Sequence, residues 1–595
     1  MKKIFLIPIL IFASFQGNAA IIMPYILGDN MVIQRGVEFP IWGLAEKGEE
    51  VTVEFNGQKV KTFADDKEGK WKLVLKPMEA NSKPQQMVIS AEKASFKIEN
   101  VLIGDVWIYG IQSPFGGNVR KPEPELIELP KEISGVKDEK PKDDGLPVKN
   151  IKVLDPLVRI FDVKRTIAKN SQSLVSGSWM NFDTENCNRF PEIAYEFACR
   201  IKTGQKVPVG IINISWNWSS TEAWLKDETL RKNPDYAQIF PYWTLAIHNF
   251  ATNKTKWEND VKQWEKIKDK AKYPPKKPEY PDGPESNRQP SVLYYGMLTQ
   301  VIPFKPRGIV WCQSDKIYCK PFTKCYTELL RDLVADLRAD FESPELPFIL
   351  IQYPAYDKRQ VFPVENTMSF GPYIREAQIQ AVDVRNMAIV SMLNLAGETW
   401  QSAAGERLYS GAVATAYEQK PYNYGPVFKS FSVDDNKVKI TFDNADNGLK
   451  AMYVEGFDGN KKEFEGKTVK ITETQKNVNG TLTTEKLIAE DPKSTAKVVK
   501  VFIRKIEEKL PSGEISEKEV SRLLIEDPVN ATGFAIAEDK MPYKWANATI
   551  EGNTVTVWND DVKKPFAVRY GWANNPVGNL ASMDGIPANC FRTDK

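Results

Sequence analysis

Gly104-Asp105-Val106-Trp107-Ile108-Tyr109-Gly110-Ile111-Gln112-Ser113-Pro114-Phe115 is the stretch on which the fold of this chain turns. Its apolar run, rich in β-branched and aromatic residues, leads straight into Gln112-Ser113 and then the pair Gly116-Gly117. A run of that length and composition, closed by turn residues, reads as a buried strand. It delivers a serine to a turn at the edge of a sheet, which is where α/β hydrolytic folds place a nucleophile.

Outward from that strand, size and composition set the frame. At 595 residues the chain is too long for one core, and its length corresponds to about three or four domains. A hydrophobic content of 42% with 11% aromatics is globular, and a formal net charge of +2 gives no electrostatic case for nucleic acid or an anionic membrane. Six cysteines are too few for a disulfide framework. Cys312, Cys319 and Cys325 have no histidine near them, so they read as core or disulfide cysteines, and neither a metal nor a cofactor is expected. The chain has a single histidine, His248, set among apolar neighbours on an expected helix. Met1-Lys2-Lys3, the apolar run Ile4–Phe15 and the small residues Gly17-Asn18-Ala19-Ala20 form a signal-peptide pattern with cleavage after Ala19. No later apolar run is long enough for a membrane helix, so the mature chain is expected to be soluble and exported, periplasmic or secreted.

From residue 20 to 100, short strands at Glu38–Trp42, Glu50–Phe55, Lys70–Leu75, Gln86–Ala91 and Ser95–Ile98 alternate with turns such as Asn56-Gly57, the pattern of a β-sandwich. Residues 101–417 carry the α/β pattern, interrupted by charged insertions at about 116–150 and 227–287. Within it Leu157–Val163 and Val207–Ile214 read as strands, and Ile193, Phe197 and Ile201 space Phe190–Lys202 as a helix. The 227–287 segment reads as a surface helical excursion with a stiff, proline-rich return at Pro274–Pro284. Residues 418–595 are β again, with strands at Phe431–Val433, Lys437–Phe442, Gly533–Ala537, Ala548–Ile550, Thr554–Trp558 and Ala567–Tyr570. A Lys/Glu-rich strand-and-turn insertion occupies about 455–527.

Several blocks together resemble the sialate O-acetylesterase family of SGNH-type carbohydrate esterases. The opening stretch is similar to the family's nucleophile block, Gly-Asp-Val-Trp-Leu-Cys-Ser-Gly-Gln-Ser-Asn-Met, with Ser113 on the nucleophile. Pro208-Val209-Gly210 and Ser215-Trp216-Asn217-Trp218 through Glu222-Ala223-Trp224 resemble its Ser-Trp-Gly-Gly-Thr block and the Glu-Ala-Trp that follows. Gly308–Gln313, then Ser314-Asp315-Lys316-Ile317, stands where the family has a strand leading into Gln-Gly-Glu-Ser-Asn. Helix Tyr326–Phe341, strand Phe348–Tyr353, Arg375-Glu376-Ala377-Gln378 and the last central strand, Ala388–Leu395, follow the same order. The terminal run from Arg569-Tyr570-Gly571-Trp572 to Phe591-Arg592-Thr593-Asp594 is the most specific match. The resemblance implies a flavodoxin-like SGNH three-layer α/β domain flanked by an N-terminal β-sandwich and a C-terminal β region. It implies acetylated glycans, such as O-acetylated sialic acids, as the ligand class.

The same comparison shows what has changed. A serine esterase needs a nucleophile, a base to take its proton and donors for the oxyanion. In the family the base and its aspartate precede a closing helix that starts Gly-x-Arg-Leu. Here Gly405-Glu406-Arg407-Leu408 is present, but Ala396–Ala404 contains neither histidine nor aspartate. Ile111 replaces a glycine, Pro114 removes a backbone N–H beside Ser113, Asn217 and Trp218 replace two glycines, and Lys316-Ile317 replaces Ser-Asn. Trp218 is expected to fill the space of an acetyl group. The pocket candidates are therefore Gln112, Ser113, Asn217, Trp218, Gln313, Asp315 and Lys316. They point to a glycan-binding homologue whose catalytic site has decayed. An esterase with a rewired base, Lys316 or Glu398, and an interaction role for the 455–527 insertion are the alternatives.

Overall fold

The computed structural model describes residues 21–112, 118, 155–172, 176–268, 275, 277–313, 322–355, 359–364, 370–393, 395, 400–417, 424–458, 464–478, 481–509, 515–539 and 542–594. The signal-peptide pattern, Ser113, Asp315, Lys316 and Glu398 lie outside them, as does nearly all of the 116–150 insertion.

The N-terminal strands are β1 (Val32–Gln34), β2 (Phe39–Leu44), β3 (Glu50–Phe55), β4 (Gln58–Phe63), β5 (Lys70–Leu75), β6 (Asn81–Ser90) and β7 (Ser95–Ile111). In β5, Trp71, Leu73 and Leu75 alternate inward with exposed neighbours, the period-2 pattern of a strand buried on one face. β4 was not anticipated. It is a lysine-bearing strand with no fully buried residue, so periodicity gives it little signal. What creates it is the turn. Asn56 and Gly57 both take positive φ (48° and 74°), the two-residue hairpin geometry that matches strand twist, and β4 pairs back on β3 from Phe55↔Gln58.

β7 is 17 residues long and continues well past the expected Ser95–Ile98. Its first part pairs antiparallel with β6. From Leu102 it pairs in parallel with β1, and from Asp105 and Trp107 with two central strands. The expected division at residues 100 and 101 falls inside this one strand.

The central strands are β8 (Asp155–Val163), β9 (Gly177–Phe182), β10 (Val209–Asn213), β11 (Gly308–Cys312), β12 (Phe348–Ile351) and β13 (Met387–Val390). They lie in the order β13-β12-β11-β7-β10-β8-β9, parallel except for the β8–β9 edge pair. With β8 and β9 set aside at one edge, the five strands β10-β7-β11-β12-β13 run 2-1-3-4-5 in chain order, a doubly wound order. Both faces are apolar, as a parallel sheet covered on two sides requires. Val106, Ile108, Ile309, Trp311 and Leu350 enter one core, and Trp107, Tyr109, Ile111, Val310 and Ile349 enter the other.

Among the described residues, seven α-helices accompany the sheet: α1 (Glu192–Gln205), α2 (Asp227–Lys232), α3 (Ile239–His248), α4 (Phe250–Ile267), α5 (Phe322–Asp340), α6 (Gly371–Ile379) and α7 (Trp400–Thr415). α1 and α7 pack into one core through Ile193, Phe197, Ile201, Ala404, Leu408 and Ala412, and α5 packs into the other through Leu329, Leu333 and Leu337. The charged excursion is helical as expected. α4 buries none of its residues, and the proline-rich return is hooked onto it where Trp257 and Trp264 donate their indole N–H groups to the carbonyls of Pro278 (3.2 Å) and Pro275 (2.7 Å).

One expectation about the closing helix is corrected. α7 begins at Trp400, not at Gly405, because Trp400-Gln401-Ser402-Ala403-Ala404 holds no helix breaker. Gly405 is a crossing point: a Cβ there would lie 2.6 Å from the Cβ and 3.0 Å from the carbonyl carbon of Glu196 on α1. Arg407 then donates to the carbonyls of Ser391 and Leu393 at 2.8 Å each, tying the helix to the chain just beyond β13.

Beyond residue 424, strands Val427–Asp434, Lys437–Asp443, Thr554–Trp558 and Asn547–Glu551 form an antiparallel sheet, and Phe534–Ala537 with Ala567–Tyr570 forms part of another. The 455–527 insertion is built of two long hairpins, Val469–Val478 with Thr481–Glu490 and Lys497–Lys509 with Ile515–Asp527. The terminal segment packs back on α6. Arg375, fully buried, donates to the carbonyls of Tyr353 (2.8 Å), Pro354 (3.2 Å), Ala573 (2.9 Å) and Asn574 (2.7 Å). Arg592 forks onto the Glu376 carboxylate at 3.2 and 3.0 Å and lies over the rings of Tyr373 and Trp572.

Candidate functional site at the carboxyl end of the central sheet

Topology selects the site before any side chain is considered. The chain leaving β7 runs to β8 and β9 and enters β10, beside β7, through α1 on one face, and the chain leaving β11 returns to β12 through α5 on the other. Neighbouring strands whose connections part in this way leave a crevice at their carboxyl ends, where doubly wound folds bind ligands. Gln112 and Gln313 stand one residue past β7 and β11 at that point.

Both glutamines are fully buried and bound to the segment that follows β10. Gln112 Oε1 accepts from the Trp216 N–H (3.1 Å) and the Ser219 hydroxyl (3.0 Å). Ser219 Oγ in turn accepts from the Trp224 indole N–H at 2.9 Å. Gln313 Nε2 donates to the Ser219 carbonyl (3.2 Å), and its Oε1 accepts from the Trp311 indole (3.2 Å). Ser219 is thus clamped between the ends of two strands. Gln112 Nε2 is buried and has no acceptor among the described residues.

The backbone of this segment is shaped for a glycine and occupied by a tryptophan. Trp218 has φ +65°, in the left-handed region that costs an L-residue about 1–2 kcal/mol. Its N–H donates to the Gln112 carbonyl at 2.7 Å, so that donor is spent inside the protein. The side chain is 46% exposed and stands at the surface. Asn217 is also exposed, and its carbonyl accepts from the Asn287 amide at 3.3 Å.

A second polar chain runs along the same sheet edge. Ser215 Oγ accepts from the Ile111 N–H at 3.0 Å, and the Ser215 N–H donates to Asn213 Oδ1 at 3.2 Å. Asn213 Nδ2 donates to Asp162 Oδ1 at 2.9 Å. Burial holds the Asp162 carboxyl above the ordinary carboxylate range, opposed by that hydrogen bond and by Arg189 and Arg165. Sequence reasoning passed over Asp162 and Ser215. The available signal was their position at strand ends: Asp162 one residue before the end of β8, and Ser215 just past β10.

Other residues sort cleanly. Asp105, in the opening stretch, is fully buried in a structural ion pair: its carboxylate takes Arg35 Nε and an Arg35 terminal nitrogen at 2.8 and 3.0 Å and the Tyr417 hydroxyl at 2.8 Å. Cys312 is free and buried in the core, and burial pushes its thiol far up, so it is no nucleophile. Cys325 is in a disulfide. No group of residues spaced to hold a metal ion occurs among the described residues. His248 is exposed, on the last residue of α3. Among the described residues no helix is long and apolar enough to cross a membrane.

Beside this edge lies a cavity of about 280 Å³, bounded by Trp216 and by residues of the 227–287 excursion and the few that follow it.

Comparison with known proteins agrees with the architecture. No family model matches the chain. No curated protein matches it in sequence. Among solved structures, the crystal structure of a carbohydrate acetylesterase from Xanthomonas citri superposes with a TM-score of 0.62 at 21% identity, covering 97% of this chain and 100% of that one. A family two carbohydrate esterase from Cellvibrio japonicus aligns over 68% of this chain and 96% of that one, at 8% identity and a TM-score of 0.21. The first of these establishes a shared fold: a mixed α/β chain with a central, mostly parallel sheet and many added strands, as in that esterase.

Proposed function

We propose that this chain is an exported carbohydrate-ester-binding protein, built on an SGNH-type frame of the sialate O-acetylesterase kind, that has lost ordinary serine-esterase catalysis. The observation that carries the reading is the histidine. The chain has one, and it stands exposed at the end of α3. The segment after β13, where the resemblance puts the base, has neither histidine nor aspartate from Ser391 to Ala404.

The chemistry follows from that absence. Ser113 is the nucleophile position, and a serine hydroxyl near neutral pH attacks an ester only when a neighbouring base takes its proton. Without the base, the loss is several orders of magnitude in rate. A donor beside the site is committed elsewhere as well, since the Trp218 N–H is bonded to the Gln112 carbonyl. What stays in place is the frame that holds a ligand: the crevice at the ends of β7 and β11, and the clamped Ser219 segment. An acetylated sugar held there is bound rather than cleaved.

Release of acetate from acetylated sugars and from p-nitrophenyl acetate tests this. The expected rate equals that of Ser113→Ala, with no labelling of the folded protein by a fluorophosphonate probe. Ser113-dependent turnover in the ordinary enzyme range, about 1–10³ s⁻¹, would overturn the proposal. Trp218→Gly relieves the left-handed strain and is expected to leave turnover at background, because the base is still missing.

A further inference from the structure

The cavity beside the sheet edge has a wall that belongs to the candidate site. Trp216 donates its backbone N–H to Gln112 Oε1 while also lining the cavity. The opposite wall comes from the excursion and the residues after it, and it is bonded to the same segment. Ser220 Oγ donates to the Arg288 carbonyl at 2.7 Å, and the Asn287 amide donates to the Asn217 carbonyl at 3.3 Å. Trp216 therefore borders both the cavity and the segment clamped at the ends of β7 and β11, where the proposed function places the sugar ester.

Its lining has a definite chemistry. Trp216, Phe250 and Tyr280 supply aromatic surface, and Glu285, Asn287 and Arg288 supply polar groups. The Phe250 ring is held close against the chain at Gly283, where an added Cβ would lie 2.2 Å from a ring carbon. Tyr280 stacks edge-on against Trp257 (4.9 Å between centroids) and keeps 49% of its surface exposed. Arg288 is already neutralised, 2.7 Å from Asp282, with both side chains largely buried. Glu285 is left as an exposed carboxylate that can accept from hydroxyls. A volume of about 280 Å³ lies just below the range of drug-sized ligand sites, about 300–1,000 Å³, and so limits the occupant to one small ring.

We infer that this cavity is a subsite for one neutral pyranose ring next to the ester-binding crevice. Aromatic faces suit the apolar C–H face of a sugar ring, and the carboxylate and amide suit its hydroxyls. With Arg288 paired and Glu285 without a cation partner among the described residues, the site disfavours a carboxylate-bearing sugar such as sialic acid. The inference rests on the proposed sugar-ester reading and adds to it the class of sugar and the residues that choose it.

Calorimetric titration of the full-length protein with a mono-O-acetylated methyl pyranoside, and with O-acetylated N-acetylneuraminic acid, tests it. The neutral sugar is expected to bind more tightly than the acid. Tyr280→Ala should weaken the neutral sugar about tenfold or more, and Glu285→Gln should weaken it about threefold while narrowing the gap to the acid. Glu285 is exposed, so its variant reports on binding even if Tyr280→Ala folds poorly. Binding of the neutral sugar that neither substitution changes would overturn the subsite and leave the crevice reading standing. Tighter binding of the acid would overturn the stated selectivity. No binding of either sugar by the folded wild type would overturn both readings.

Discussion

Trp218 shows how a residue can carry a backbone conformation meant for another. Its φ of +65° is one that glycine adopts freely, and the hydrogen bond from its N–H to the Gln112 carbonyl holds it there. Substitution at this position was legible in the sequence; its consequence was not, because only the folded chain shows where the indole and the N–H point. Asp162 is the other residue at which charge and burial disagree. Its folded pKa lies above its unfolded one, so its contribution to stability is fully present below the unfolded value and is lost as pH rises through the folded value. Asp162→Asn keeps an oxygen acceptor for Asn213 Nδ2 and removes the desolvated charge. Its denaturation midpoint is expected to fall less than that of the wild type as pH rises from below the ordinary aspartate pKa through the raised one. A steeper fall in the variant would show that the charged form is the favoured one.

Among elements, β7 and α7 do the positioning. β7 is buried along its second half because it is paired on both sides there and covered on both faces. That is why its sequence is a continuous apolar run, and why the central sheet could be read from it. α7 was misjudged because Gly405-Glu406-Arg407-Leu408 resembles a start and is in fact a contact. The glycine admits α1, the arginine holds the end of β13, and the leucine enters the core. Gly405→Leu should therefore destabilise the protein by about 1–3 kcal/mol, the usual cost of overpacking, measured by urea denaturation. A change under about 0.5 kcal/mol, the range of a surface substitution, would mean that the helices do not approach as closely as described.

The whole molecule is joined by polar contacts that no periodicity encodes. Arg375 donates to four carbonyls, two of them in the terminal segment, and Glu376 receives Arg592. Arg375→Lys replaces a planar fork by a single ammonium that cannot reach all four. Each carbonyl left bare costs about 1–3 kcal/mol, and the expected result is a lower melting temperature with early proteolytic loss of the terminal region. An unchanged melt would remove this contact as the joint. The terminal run, where the sequence resemblance was most specific, is held by α6 through these contacts in addition to its own strand pairing. The parallel strands of the central sheet, the order of the blocks and the absence of a histidine from Ser391 to Ala404 were determined by the sequence alone, because burial on two faces and the presence or absence of a histidine are written locally. The cavity by Trp216, the spent N–H of Trp218 and the crossing at Gly405 were decided only by the tertiary structure, because each depends on which distant backbone lies within a few ångströms.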